Sequence, residues 1–221
     1  MFVEIYQRLL SEYGPQGWWP VTPPGERTPR YTGGPRDSAQ RFEVAVGALL
    51  TQNTSWRNAS RAIENLNDAR LLSPAGIGGA GKNALARLIR PAGYFNQKAA
   101  RLETLARFFE DGSAVTRDNL LALAGVGPET ADSILLYGFG KPFFVVDAYT
   151  RRIFDRLGLL DGRAPYERIR RIFEGEIPRN ARLYNEYHAL IVEHAKRFCR
   201  KRPLCGDCPL RDRCRAAGAG A

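Results

Sequence analysis

The stretch that decides the fold is Leu120 to Arg152, LLALAGVGPETADSILLYGFGKPFFVVDAYTRR. Its first residues complete a short predicted helix from Thr116 to Leu123, with Thr116 as the N-cap. The two glycines of Gly125-Val126-Gly127 break this helix, because glycine permits backbone conformations that a side chain forbids. Pro128 suits the first position of a second helix, where its missing N–H costs nothing. The sequence therefore predicts a helix, a tight glycine hairpin and a second helix.

Two roles are open for the hairpin and for the acid that follows it. A glycine hairpin between helices directs backbone N–H groups outward, beside the positive end of the second helix, which favours a DNA phosphate. Such a contact positions a duplex without reading its sequence, and the alternative is an ordinary helix–helix turn. Downstream, an apolar run from Phe143 to Val146 leads to Asp147. Asp147 is either the N-cap of a helix that begins at Ala148 or a carboxylate that does chemistry.

In order and spacing, this stretch resembles the helix-hairpin-helix base-excision DNA glycosylases related to endonuclease III. The shared features are a leucine-rich helix, the glycine hairpin, the pair Thr130-Ala131, and Val146-Asp147 ahead of a helix that carries arginine. The resemblance implies an all-α fold and makes Asp147 the catalytic carboxylate, which stabilises positive charge on the sugar or activates water. It also implies damaged double-stranded DNA as the partner, contacted by Gly125, Val126, Gly127, Thr130 and Arg151.

Glu129 marks a departure from the bifunctional members of this family. Those members carry a lysine immediately before the Thr-Ala pair, and they use it as a Schiff-base nucleophile. A carboxylate cannot form an imine, so the sequence predicts a monofunctional glycosylase without a lysine-dependent lyase step. The alternative is that Glu129 is simply a favourable acid in the first turn of a helix.

The tryptophans favour one branch of the family. Trp18-Trp19-Pro20 and the turn from Gly93 to Ala99 are most similar to the methylpurine (3-methyladenine) DNA glycosylases, which hold alkylated purines with aromatic side chains. A cationic base stacks favourably on an indole face. The alternative is that the tryptophans only cover the core. The resemblance implies a base pocket formed by Trp18, Trp19, Trp56, Glu129 and Lys196.

A polar turn follows the first helix of the barrel, which begins at Asp37 or Ser38. The turn reads Leu50-Thr51-Gln52-Asn53-Thr54-Ser55-Trp56. In the resembling family, the glutamine of this turn fills the hole that the flipped nucleotide leaves. Gln52 is therefore the predicted inserting residue, since a polar side chain can hydrogen-bond the orphaned base. The alternative is a helix-ending turn with Gln52 in solvent.

All four cysteines fall in one short segment, at Cys199, Cys205, Cys208 and Cys214. Four thiolates in one loop are metal-ligand chemistry, and their spacing leaves both zinc and an iron–sulfur cluster open. The family resemblance favours a [4Fe–4S] cluster, although five residues separate the first two cysteines where the family commonly has six. The two histidines, His188 and His194, have no metal-ligand spacing and are predicted to be packing or helix-surface residues.

The composition agrees with a nucleic-acid partner. Among the 221 residues, 33 lysines and arginines exceed 23 acids, which gives a net charge of +10. Such a basic balance suits a polyanion. No apolar run approaches the roughly twenty residues of a membrane span, and residues 1–13 do not read as a signal peptide. The expectation is a cytoplasmic, nucleoid-associated monomer.

We expect two helical domains. Residues 37–138 are predicted to form a six-helix barrel that contains the helix-hairpin-helix at 116–138. Residues 1–36 and 139–221 are predicted to form a terminal domain with the cysteine loop at 199–214. The glycine-rich stretch at 76–81 is predicted to be an irregular break.

Three functions remain open from the sequence. The preferred one is excision of alkylated purines such as 3-methyladenine and 7-methylguanine. The second is the same chemistry on oxidised pyrimidines or mismatched bases. The third is a DNA-binding module that has lost activity, against which Asp147 argues.

Overall fold

The structure is a computed structural model, and it describes residues 1–218. Positions 219–221 of the predicted terminal domain lie outside the described residues. The helices are α1 (Phe2–Tyr13), α2 (Ser38–Leu50), α3 (Trp56–Asp68), α4 (Pro74–Gly79), α5 (Lys82–Leu88), α6 (Phe95–Glu110), α7 (Arg117–Leu121), α8 (Pro128–Ser133), α9 (Ala148–Arg156), α10 (Tyr166–Glu176), α11 (Ala181–Arg197) and α12 (Arg215–Gly218). Across residues 1–218 there is no β-strand, and one isolated antiparallel bridge joins Val21 to Arg30. The predicted all-α class is confirmed.

The chain divides into two compact units, of which the first to be described is Gly17–Gly140. It contains α2 to α8, and α2 is buried over most of its length. This unit has seven α-helices where the sequence predicted six, and the additional one is α4. The glycine-rich segment forms this helix because Ser73 caps it by accepting the Gly76 N–H at 3.0 Å, and because Pro74 occupies its first turn. The buried side chain of Ile77 holds it in the core.

Residues 17–36 belong to this barrel unit in the structure, whereas the predicted division placed them in the terminal domain. Hydrogen bonds explain the difference. The backbone N–H and the hydroxyl of Thr22 donate to Glu43 Oε1 on α2 at 2.9 and 2.7 Å, and Gln40 Nε2 donates to the Thr22 carbonyl at 3.0 Å. Because both α2 side chains are buried, they fix the loop to the barrel. Sequence patterning gives no sign of such through-space pairs.

The other unit is Met1–Gln16 together with Lys141–Ala221. Here α1 packs against α11, and the Tyr187 hydroxyl donates to the Phe2 carbonyl at 2.7 Å. The core between these helices and α10 is aromatic. Phe144 and Phe173 stack with ring centroids 4.1 Å apart, and Phe2 meets Phe173 edge-on at 4.9 Å. The two ends of the chain therefore build one core.

Candidate functional site

The hairpin between α7 and α8 has the geometry that the glycines predicted. Gly125 has a φ of +83°, and the Val126 N–H donates to the Leu123 carbonyl at 3.0 Å. Gly127 is the N-cap of α8, with an ordinary φ of −91° and no side chain to cap the helix. A Cβ added at Gly127 would meet nothing within 4 Å. The first N–H groups of α8 therefore border open space.

A buried ion pair fixes the two hairpin helices to each other. Arg117 at the start of α7 donates from Nε and Nη2 to the two oxygens of Asp132, at 2.7 and 3.2 Å. The Asp132 side chain is fully buried. Removing one partner of such a pair leaves an uncompensated buried charge. The ion pair therefore favours this arrangement of α7 and α8. Sequence reasoning missed it, because the chain gives no sign of which arginine reaches which acid.

The predicted inserting residue, Gln52, lies against this hairpin. Its Nε2 donates to the Gly125 carbonyl at 3.0 Å and to the Thr130 hydroxyl at 2.9 Å. Its Oε1 accepts from Arg101 Nη1 at 2.7 Å. The structure thus brings together three of the predicted DNA-binding positions. Thr130 is nearly buried, and so is another predicted position, Val126. The side chains of these two residues are therefore not accessible to a duplex.

Lys98 anchors the backbone of the same turn. Its side chain is 1% exposed, and its Nζ donates at 2.8 Å to the carbonyls of Leu50, Gln52 and Ala92. An ammonium has three N–H groups, and all three are used. Burial lowers the pKa of Lys98 to about 8, and the positive charge of Arg101 acts in the same direction. The sequence singled out this lysine only as part of the Gly93 to Ala99 turn.

The predicted pocket tryptophans meet in one cluster. Trp19 packs edge-on against Trp56, with ring centroids 5.4 Å apart, and lies 5.9 Å from Trp18. Tyr137 closes the cluster at 4.9 Å from Trp19. Trp19 is buried, whereas Trp18 and Trp56 are partly exposed. Trp19 therefore supports the cluster from within, and Trp18 and Trp56 are its partly exposed members.

Tyr137 enters this cluster from a π-helical turn, Ile134–Gly138, which continues α8. The sequence predicted an ordinary helical continuation there. A π turn widens the helix by one residue and often occurs at functional sites. Gly47 on α2 makes room on the other side, since a Cβ there would come within 3.2 Å of the Trp19 indole nitrogen. Tyr137 is a site residue that sequence reasoning missed.

Asp147 is the N-cap of α9. Its Oδ1 accepts the Thr150 N–H at 2.7 Å, and its Oδ2 lies 3.7 Å from His188 Nε2. Burial alone would raise the pKa of this carboxyl. Electrostatic attraction by His188, together with the hydrogen bond from the Thr150 N–H, outweighs burial, so the pKa of Asp147 lies below its ordinary value. The carboxyl is therefore ionised at neutral pH. His188, predicted as a packing residue, faces the candidate catalytic acid.

Three other predicted residues have distinct surroundings. Arg151 Nη1 donates to the carbonyls of Gly162 and Ala164 at 3.0 and 2.6 Å, so this arginine orders the loop after α9. Glu129 is exposed in the first turn of α8, and Lys196 is exposed near the end of α11.

The four predicted metal ligands line one cavity of about 50 Å³, together with apolar side chains such as Ile153, Leu157 and Leu210. Burial raises the pKa of the Cys208 thiol, and the negative charges of the other three cysteines add to this effect. His194 contributes a ring nitrogen 3.7 Å from Cys208 Sγ, and its other nitrogen lies 2.8 Å from the Tyr13 hydroxyl. The four sulfur atoms therefore lie close enough for their charges to interact.

The chemistry of the donor set fits a thiolate-bound metal centre. Four cysteines line one cavity, and a cubane iron–sulfur cluster takes one thiolate on each iron. Zinc also binds four thiolates, with each sulfur about 2.3 Å from the ion.

Two arginines of α9 tie this cysteine loop to the helix that Asp147 caps. Arg156 Nη1 donates to Cys199 Sγ at 3.3 Å and to the Arg200 carbonyl at 2.7 Å. Arg152 Nε donates to the Cys199 carbonyl at 2.8 Å. Arg156 thereby places a positive charge beside one of the predicted metal ligands. The sequence drew attention to the arginines of the loop itself and missed these two.

A helical hairpin open to phosphate, next to a polar turn, defines a DNA-binding protein of the helix-hairpin-helix class. Comparison with known proteins identifies the family. A model of the HhH-GPD superfamily base excision DNA repair proteins matches residues 46–179. A putative DNA repair glycosylase of Methanocaldococcus jannaschii is 44% identical over 227 residues, covering 97% of this chain and 96% of the relative. The chain therefore belongs to the HhH-GPD superfamily.

Two further relatives bear on the substrate. Endonuclease III of Sulfolobus acidocaldarius is 31% identical over 183 residues, covering 79% of this chain and 81% of the relative. The solved structure of the H. pylori 3-methyladenine DNA glycosylase bound to 1,N6-ethenoadenine superposes with a TM-score of 0.70 at 29% identity, covering 88% of this chain and 97% of that one. The protein is a base-excision DNA glycosylase, and its partner is DNA. No helix within residues 1–218 is both long and apolar enough to cross a membrane.

Proposed function

We propose that this glycosylase excises alkylated purines from double-stranded DNA without a lysine-dependent lyase step. The observation that carries the proposal is the tryptophan cluster, in which Trp18 and Trp56 offer partly exposed rings around a buried Trp19. N3- or N7-alkylation places positive charge on a purine, and an indole face attracts a cation. The similarity to a 3-methyladenine glycosylase supports the same substrate class.

Asp147 is the proposed catalytic carboxylate. An alkylated purine is already an activated leaving group, so the main demand on the protein is to stabilise the positive charge that develops on the sugar. A carboxyl with a lowered pKa is ionised, which suits that task. The same lowered pKa makes Asp147 a weak base. We therefore favour electrostatic stabilisation over activation of water as its role.

The absence of a lyase step rests on Glu129 and Lys98. Glu129 stands where an imine-forming lysine would be required. Lys98 is buried, and its three N–H groups are held by backbone carbonyls, so it is not a nucleophile. We further propose that Glu129 and Lys196 border the base pocket and add to its electrostatics.

The proposed DNA contacts come from backbone and side chains together. The N–H groups at Gly125 to Gly127 and the start of α8 would take a phosphate. Gln52 would occupy the space left by the extruded nucleotide. Arg151 would act through the loop at 162–164, which it orders. The protein would work as a monomer at the nucleoid, where its substrate is.

The cysteine loop is proposed to hold a [4Fe–4S] cluster through Cys199, Cys205, Cys208 and Cys214. Its role here would be structural, cross-linking the loop and, through Arg152 and Arg156, the helix that Asp147 caps. The test is iron and acid-labile sulfide content, with the melting temperature, in wild type and Cys205→Ala. Zinc without sulfide, or an unchanged metal content and melting temperature in the variant, would contradict this assignment.

The function is tested by base release from a methylated duplex, with wild type and Asp147→Asn assayed side by side. Asparagine is as good an N-cap as aspartate, so α9 should persist while the charge is lost. We expect free 3-methyladenine or 7-methylguanine from wild type alone, with no enzyme-dependent strand nicking. Trp18→Ala should raise the KM for the alkylated base.

A second candidate is excision of oxidised pyrimidines or mismatched bases, which the similarity to an endonuclease III favours. Release of those bases, with none from methylated DNA, would select it. Enzyme-dependent nicking through a protein–DNA imine, which borohydride reduces to a stable covalent adduct, would overturn the monofunctional assignment.

A further inference from the structure

Arg101 joins the two DNA-binding elements of the barrel unit. It projects from α6, and its aliphatic stem lies directly across the hairpin, so that a Cβ at Gly125 would overlap its side chain. Its Nη1 donates to Gln52 Oε1 at 2.7 Å. Arg101 therefore links the residue proposed to enter the duplex to the loop proposed to take the phosphate.

The contacts leave the Gln52 side chain fully engaged. Its two N–H groups are used by the Gly125 carbonyl and the Thr130 hydroxyl, and its oxygen is used by Arg101. The amide cannot keep these three bonds and also extend into a duplex. The backbone of the turn is fixed separately by Lys98. Release of Gln52 therefore requires only that one side chain rotates.

Arg101 also has a stronger acceptor available to it. A guanidinium bonds a phosphate more strongly than a neutral amide oxygen, because both partners are charged. A phosphate that docks at the hairpin would lie beside Gly125, where Arg101 already packs. The guanidinium would then exchange the Gln52 oxygen for a phosphate oxygen.

We propose that Arg101 is a positioning residue that holds Gln52 on the hairpin and releases it when a DNA phosphate docks there. The inference rests on the role given to Gln52 in the proposed function. It makes insertion of Gln52 conditional on correct docking of the backbone. The Gln52 side chain thereby stays bound to the hairpin until the DNA backbone has docked.

The experiment uses Arg101→Met, which keeps the stem over Gly125 and removes the guanidinium. The matched control is Arg107→Met, an exposed arginine on the same helix. Side-chain amide exchange of Gln52 is measured by NMR on 15N-glutamine protein, with the signal assigned from Gln52→Ala. We expect slow exchange in wild type and Arg107→Met, and exchange at least tenfold faster in Arg101→Met. An undamaged duplex should accelerate exchange in wild type but not further in Arg101→Met.

A second measurement follows insertion itself. The probe is a duplex with a tetrahydrofuran abasic analogue opposite 2-aminopurine, whose fluorescence reports unstacking. Gln52→Ala should change the signal at saturating protein. Arg101→Met should keep at least the wild-type signal, while the slope of log K against log salt falls by about one phosphate contact. In the double variant, Arg101→Met should change only the salt slope.

Three outcomes would overturn the proposal. Equal amide exchange in Arg101→Met and wild type would show that Arg101 does not hold Gln52. A saturating signal lowered by Arg101→Met would show that it supports the inserted position instead. A signal unaffected by Gln52→Ala would remove the inserting role and the inference with it. Neither readout needs a damaged base, so failure to excise alkylated purines would leave these results independent.

Discussion

Asp147 is both the N-cap of α9 and the proposed catalytic carboxylate. One oxygen caps α9 and the other faces His188, so the same contacts that start the helix keep the carboxyl ionised. In the proposed function, this residue is therefore constrained by folding and by catalysis at once. The sequence showed both readings of Asp147 but could not show His188 beside it, because 41 positions separate the two residues in the chain.

His188 should set the acidic limit of activity. His188→Phe removes the imidazole whose attraction helps to lower the pKa of Asp147, so this pKa should rise and the acidic limb of base release should move to higher pH. A carboxyl with a depressed pKa stabilises the fold above its unfolded pKa, and this stability is lost as pH falls through the folded pKa. The variant should therefore also lose acid stability.

The measurement is single-turnover base release against pH, on the substrate that wild type processes, with thermal unfolding against pH. His188→Gln retains an N–H donor and serves as the control, with an intermediate limb expected. An acidic limb that does not move in His188→Phe would show that His188 does not tune Asp147.

At the scale of elements, glycine occupies the two hairpin positions for different physical reasons. Gly125 needs its left-handed backbone and contacts Arg101, whereas Gly127 has an ordinary φ and an open side. Gly125→Ala should lower the free energy of unfolding by about 1–2 kcal/mol from backbone strain alone. Gly127→Ala should change it by less than about 0.5 kcal/mol, yet weaken binding to every duplex by placing a methyl group at the proposed phosphate site.

Urea denaturation and binding to one lesion-containing and one undamaged duplex separate these effects. Equal loss of affinity for both duplexes in Gly127→Ala is expected, since the hairpin reads no sequence. Unchanged affinity for both would place the phosphate elsewhere.

Local signals predicted most elements well, and long-range pairing accounts for what they missed. The glycine hairpin was predicted from local sequence, and the predicted caps Asp37 and Thr116 accept N–H groups at the start of their helices. The π turn at Ile134–Gly138 and the engagement of Gln52 were not predictable, because they depend on which side chains meet in space. The cysteines were recognisable from spacing, but their arginine partners on α9 were not.

At the scale of the molecule, the first helix stabilises a unit made mostly from the other end of the chain. Phe2, Ile5 and Leu9 are buried in the core that α1 shares with α11 and α10. Ile5→Ala should therefore cost about 2–5 kcal/mol. Val3→Ala, on the exposed side of the same helix, should be close to neutral.

Chemical denaturation followed by far-UV circular dichroism would compare these two variants. Tryptophan fluorescence would report on the other unit, since all three tryptophans lie outside this one. Similar stabilities for Ile5→Ala and Val3→Ala would mean that α1 is dispensable to the unit that carries Asp147 and the cysteines.

The triple engagement of Lys98 has a consequence for amine chemistry. In acylation, the lone pair of a free amine attacks the reagent's carbonyl carbon and expels the leaving group. Lys98 is 1% exposed and its nitrogen is bound to three carbonyls, whereas four other lysines are exposed, at Lys82, Lys141, Lys196 and Lys201. Under a limiting reagent, mass spectrometry should find four lysines modified early and Lys98 late. The rate of Lys98 modification would report how often the Gln52 turn opens. It can be measured in the intact protein without DNA.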